Sequence, residues 1–171
     1  MAGGQRGRGA SGVALPRPDD DEVAPLTTVQ VDALLSLVDA YEWDKTTGVY
    51  RPHRLAALFH TAIKAGPRQG ELIGLRWQDL DLDRRELRIA GQYQRGERVA
   101  GKSKKAHRAI PISAGLVQIL RNHRRNQIEE RAIGGPEWNK AELVFCSENG
   151  TALGASGTWR TFMALQRRAG L

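Results

Sequence analysis

Twelve basic side chains crowd the stretch from Arg84 to Arg125: Arg84, Arg85, Arg88, Arg95, Arg98, Lys102, Lys104, Lys105, Arg108, Arg121, Arg124 and Arg125. Only Glu86 and Glu97 oppose them, a net excess of ten over 42 residues, against +7 for the whole chain. Cationic groups at that density suit the tracking of a phosphate backbone. The same density also fits the solvated face of a soluble fold. Charge alone does not separate DNA from RNA or from an anionic membrane.

Other reactive side chains are sparse. The single cysteine, Cys146, excludes an internal disulfide, and a metal site built on it would need His or carboxylate help. The four histidines are His53, His60, His107 and His123. His60 reads as structural, His107 lies in the hairpin strand within the basic stretch, and His123 reads as part of a basic helix face with Arg124 and Arg125. With 171 residues, 40% hydrophobic and 26% charged, the composition is globular and excludes a wholly disordered chain. No apolar run approaches the roughly 20 residues of a membrane helix. The opening MAGGQRGRGASG has no signal-peptide core. These features fit a reducing compartment, so the expected location is cytoplasmic, with no membrane partner.

Residues 1–25, rich in Gly and Pro and ending near the acidic run Asp19–Glu22, predict a disordered linker or tail. The folded part, 26–171, opens on Thr27-x-x-Gln30, a capping box, with Val31, Leu34, Leu35 and Val38 at helical spacing. A helix over Thr28–Ala40, a loop over Tyr41–Arg51 and a second helix from Pro52 follow. Gly66 is placed to end that second helix. Pro67–Glu71 predicts a tight connection and Glu71–Trp77 a short helix. Strands are expected over Glu86–Ala90, His107–Ile112 and Leu143–Cys146, with a polar hairpin over Gly91–Gly101. Ser113 caps a helix to about Ala132, and a last helix from Ser156 buries Trp159, Phe162, Met163 and Leu165. Trp77 and Cys146 read as core. Helices grouped around non-interleaved strands give an α+β class, mostly helical, with a small three-stranded antiparallel sheet.

The stretch AGPRQGELIGLRWQDLDLDRRELRI resembles the first conserved box of the tyrosine site-specific recombinases, the phage-integrase family. Its matching residues are Gly66, Arg68, Glu71, Leu72, Leu75, Trp77, Asp79 and Asp81. GKSKKAHRAIPIS resembles that family's lysine-bearing β-hairpin, LVFCSENGTAL its next strand and turn, and TWRTFMALQRRAGL the helix before its second box. The resemblance implies a helical catalytic domain acting in DNA integration and site-specific recombination. A tyrosine attacks a phosphodiester to give a 3′-phosphotyrosyl intermediate, without metal or cofactor. Arg68 then matches the first catalytic arginine, whose planar donors suit non-bridging phosphate oxygens. Lys104, with Lys102 second, matches the lysine that protonates the leaving 5′-oxygen. Glu71 would support the site or serve as first-turn helix charge. Arg95, Arg98, Lys105, Arg108, Arg121, Arg124 and Arg125 are the expected nucleic-acid contacts. Double-stranded DNA is the expected partner, with self-association on it.

The family's second box, His-x-x-Arg, is not among these 171 residues, and Tyr41, Tyr50 and Tyr93 all lie upstream of the position of a nucleophilic tyrosine. The expectation is therefore a truncated catalytic domain that binds DNA and is catalytically incompetent alone. The alternatives are a non-catalytic DNA-binding module derived from the family, or a basic RNA- or protein-interaction domain. In the last case Arg68 and Lys104 would matter no more than other basic residues.

Overall fold

Thr27 starts the first helix as its sequence requires. Its Oγ1 accepts the Gln30 N–H at 3.3 Å, and its own N–H donates to Gln30 Oε1 at 2.8 Å. The helix, α1, runs Thr28–Asp39 and buries Leu34, Leu35 and Val38. A computed structural model describes residues 25–45, 48–94, 97–100, 107–138 and 141–171. The expected tail, Pro25 apart, lies outside the described residues.

The stretch expected as a loop after α1 is instead a hairpin. β1 (Tyr41–Asp44) pairs antiparallel with β2 (Val49–Pro52), with Glu42 opposite Arg51. Pro52 therefore ends a strand, and α2 begins later, at Ala56–Ala65. Gly66 terminates α2 in the left-handed region at φ 64, the role its position predicts. The short helix also lies earlier than expected. α3 covers Gln69–Ile73, and Trp77–Asp79 forms a separate 3₁₀ turn.

The three-stranded antiparallel sheet is present with a different third member. Its order is β3 (Leu80–Asp81), β4 (Glu86–Ile89), β7 (Arg108–Pro111). Leu143–Cys146, expected as a strand, makes only single bridges, Arg76 with Leu143 and Cys146 with Ala152. The polar excursion is a separate hairpin, β5 (Gly91–Gln94) with β6 (Glu97–Ala100). α4 runs Ala114–Gly134 from the Ser113 cap, whose Oγ accepts the Leu116 N–H at 3.2 Å. α5 covers Ala155–Arg168.

Among the described residues a main core joins the helices to the three-stranded sheet, and Trp138, Leu143 and Cys146 form a second, smaller cluster. Leu34, Val38, Leu58, Phe59, Leu72, Leu87, Leu116, Leu120, Phe145 and Leu165 are all buried in the main core. Trp159 corrects its core expectation: it is 55% exposed, with its ring against Phe162 at 5.6 Å. Met163 is exposed as well. His123 departs from the expected basic face. Its Nε2 donates to the Val144 carbonyl at 2.7 Å, and its ring lies between Trp77 and Phe145. No described helix is long and apolar enough to cross a membrane.

Candidate active site

Arg68 precedes α3 in extended backbone, φ −65 and ψ 153. The third helical residue, Glu71, turns back and accepts the Arg68 N–H on Oε2 at 2.8 Å. That capping bond leaves an amide at the positive end of the helix satisfied by a negative charge. Oε1 of the same carboxylate accepts Arg68 Nη1 at 3.2 Å. From β7, Arg108 meets both oxygens, Nη1 to Oε1 at 2.9 Å and Nη2 to Oε2 at 2.8 Å. This parallel two-donor fork is the strongest geometry an arginine offers a carboxylate.

Glu71 is 5% exposed, and burial alone would favour its neutral form. The Arg108 hydrogen bonds prevail, and with the Arg68 bonds they hold the carboxyl below its usual range. Two arginines around one carboxylate leave one net positive charge. Arg68 presents that charge outward: its side chain is 77% exposed. Among the described residues its guanidinium bonds only Glu71.

Two glycines set α3 against the β5–β6 hairpin. A Cβ on Gly70 would meet the Tyr93 carbonyl oxygen at 3.0 Å. One on Gly74 would meet Tyr93 N at 2.9 Å and Gln92 C at 3.0 Å, all rigid backbone. Arg98 of β6 closes the same junction, donating Nε to the Gly74 carbonyl at 3.1 Å and Nη2 to Asp79 at 3.3 Å. Gly74→Ala is therefore expected to push the hairpin off α3 and to destabilise the fold by about 1–3 kcal/mol, an overpacking cost. Urea denaturation measures it, and a wild-type midpoint would refute the close approach.

The remaining sequence-predicted residues divide between places. Arg98 is turned inward to Asp79, and Arg108 to Glu71. Arg121 pairs with Asp83 at 2.7 Å, Arg125 bonds Asn122 at 2.6 Å, and Arg124 lies over the Trp77 ring at 5.1 Å. These three line a cleft of about 610 Å³ together with Arg88, Asp81 and Asp83. Arg88 stands opposite Ala109, whereas Arg108 stands opposite the buried Ile89. Neighbouring strand residues point to opposite faces, so Arg88 and Arg108 lie on different sides of the sheet. The basic stretch that is continuous in sequence is thus split by the sheet. Arg95, Lys102, Lys104 and Lys105 lie outside the described residues. The Arg108–Glu71 fork is the feature the sequence hid, because it joins positions 37 apart.

Residues 26–171 match the phage integrase family profile over their whole length. The chain belongs to the phage integrase family. Within it, the chain is 34% identical to a tyrosine recombinase XerC-like protein of Caldanaerobacter subterraneus subsp. tengcongensis, over 76% of this chain and 37% of that one. It is 33% identical to tyrosine recombinase XerC of Thermodesulfovibrio yellowstonii, over 60% of this chain and 33% of that one. Two solved structures share the integrase fold. One is the Tn1549 transposon integrase in complex with circular intermediate DNA, at TM-score 0.69 and 22% identity, covering 89% of this chain and 47% of that one. The other is XerA recombinase, at TM-score 0.65 and 18% identity, covering 91% and 45%. The chain thus spans about a third of the length of its curated relatives and under half of these structures. The α+β class of this chain, expected from its element order, is the one those structures have.

Proposed function

We propose that this chain is the arginine-bearing part of a tyrosine recombinase catalytic domain, acting on double-stranded DNA in integration and site-specific recombination. The observation that carries the reading is Arg68. Its guanidinium is open to solvent, anchored through a buried carboxylate, and left with a net positive charge by a second arginine. A phosphodiester gathers negative charge on its non-bridging oxygens as it is attacked, and a fixed planar donor set favours that state over the ground state. Arg68 has the exposure and the anchoring suited to that role. Lys104 or Lys102 would protonate the leaving 5′-oxygen, and Glu71 holds Arg68 without touching the substrate.

The 171-residue chain on its own, with no His-x-x-Arg and no tyrosine beyond Tyr93, binds DNA without cutting it. Self-association on DNA belongs to the same reading, and sedimentation with and without duplex measures it. The deciding test is a duplex titration across salt. The expected log K falls with log salt by roughly 0.9 for each neutralised phosphate. Arg68→Ala should weaken binding and reduce that slope by about one. A flat salt response would sink the DNA assignment. On a nicked trapping duplex no covalent adduct is expected, and an adduct abolished by Tyr93→Phe would overturn the assignment of no nucleophile.

A further inference from the structure

The sequence places Arg108 among phosphate contacts, and its side chain is still 34% exposed. Both of its terminal nitrogens, however, are engaged by a carboxylate whose side chain is itself 6% exposed. To offer that two-donor fork to a phosphate, Arg108 would have to release both carboxylate bonds and leave Glu71 buried with only its Arg68 bonds. That exchange leaves a buried charge poorly compensated, and such charges are costly. The fork has a second property. Arg108 belongs to β7, which is tied to β4 along four residue pairs, so its guanidinium projects from a rigid platform. Glu71 belongs to a helix of five residues, too short to be stable by itself. The order therefore runs from the sheet to the helix start: β7 holds Arg108, Arg108 holds both Glu71 oxygens, and Glu71 holds the Arg68 amide and one Nη.

We propose that Arg108 is a positioning residue, fixing Arg68 through Glu71 rather than contacting DNA itself. The role rests on the DNA reading above, but its geometric part does not. Supporting side chains held by rigid elements are what keep a reacting group within the narrow tolerance that chemistry needs. Arg108 supplies that support, and Glu71 transmits it.

Sign and additivity decide between the two roles in duplex binding at one fixed salt concentration. If Arg108 positions, Arg108→Gln weakens binding about tenfold in the wild-type background and less than twofold in an Arg68→Ala background, because the two act as a unit. Arg108→Lys keeps the charge but loses the fork, so it falls with Arg108→Gln. Glu71→Gln also weakens binding, although it adds a positive unit to the site. If Arg108 instead contacts phosphate, Glu71→Gln frees it and tightens binding, Arg108→Lys stays near wild type, and the losses at 68 and 108 add. Any of these three results overturns the proposal.

A readout without DNA separates failure of the positioning role from failure of the DNA reading. The ¹⁵N order parameter of the Arg68 Nε–H in the free protein should fall in Arg108→Gln and in Arg108→Lys. Thermal melts establish that each variant is folded, and Arg108→Lys serves if Arg108→Gln is not. An Arg68 order parameter unchanged in the folded variant refutes the positioning role whether or not the chain binds DNA. A wild-type chain that ignores duplex DNA while its Arg68 order still depends on Arg108 refutes the DNA reading alone.

Discussion

Arg54→Met is expected to cost the fold about 3 kcal/mol, the low end of the range for stranding one member of a buried ion pair. Arg54 precedes α2, and its guanidinium ties α4 to the segment after Leu143. Nη2 donates to Glu130 at 2.7 Å and to the Ser147 carbonyl at 2.7 Å, and Nη1 donates to the Cys146 carbonyl. Glu130 is 7% exposed on its side chain, so without Arg54 it is a largely buried carboxylate that has lost its bonded cation. Arg54 itself is 26% exposed, which lets some water reach the stranded group and keeps the loss from the top of the range. Two backbone carbonyls lose donors as well, each worth roughly 1 kcal/mol. Urea denaturation at pH 7.5 measures the loss. Adding Glu130→Met should recover part of it, because the uncompensated charge goes with the second change. A double variant as unstable as the sum of the two singles would show that packing, not charge, dominates there.

Acidification from pH 6.5 toward 4 is expected to remove stability through His123. Burial pushes its pKa down to about 4, against the carbonyl bond to Val144, which pulls it up, and the Arg54 charge adds to the lowering. The folded state thus binds the proton less readily than the unfolded chain, whose value is near 6.5. The contribution is whole above pH 6.5 and is lost as pH falls toward 4. At roughly 1.4 kcal/mol per unit of displacement, the loss over that window is about 3 kcal/mol. His53 is lowered too, chiefly by burial, so the wild-type curve is a composite. Glu71 acts in the same direction further down, since its lowered carboxyl loses its stabilisation only as pH falls through its own folded value. The difference between wild type and His123→Gln isolates the residue. The variant is less stable at pH 7.5, having lost the tilted ring contacts with Trp77 and Phe145, but its stability falls less steeply between pH 6.5 and 4. Parallel curves would show that His123 does not carry the dependence.

Legibility followed the range of the interaction. The start of α1 was readable because Thr27 and Gln30 are three residues apart and cap each other locally. Ser113 and Gly66 were readable for the same reason, and Arg68 and Glu71 stand together because one is the other's cap. The β1–β2 hairpin carries a signal in only one strand: Tyr41–Asp44 alternates apolar and polar residues over the four-residue minimum, whereas Val49–Pro52 does not, and cross-strand pairing completes it. Leu143–Cys146 has the apolar run of a strand yet meets neighbours only at single bridges, which no local pattern distinguishes. His123 looked cationic beside Arg124 and Arg125, but one and two helical steps turn them away from it, and it faces Val144 while they face the cleft. The bond of Arg108 to Glu71 was not legible because its carboxylate comes from far upstream. Charge counting records a cation and not where its partner lies.

The bond between Val144 N and the Leu75 carbonyl, with that from Trp77 N to the Glu142 carbonyl, stitches two segments more than sixty positions apart. During synthesis the chain emerges from its amino end. α3, β4 and β7 are complete once Pro111 has been made, so the Arg68–Glu71–Arg108 cluster has all its members then. The backbone edge at Leu75–Trp77 still has no mate until Glu142–Val144 follows, and α4 must be made in between. An unmated edge of this kind invites pairing with another chain. In a nascent chain the members of the arginine cluster are thus all made before the edge at Leu75–Trp77 gains its mate, and the interval is set by the 21 residues of α4 and the turns that flank it.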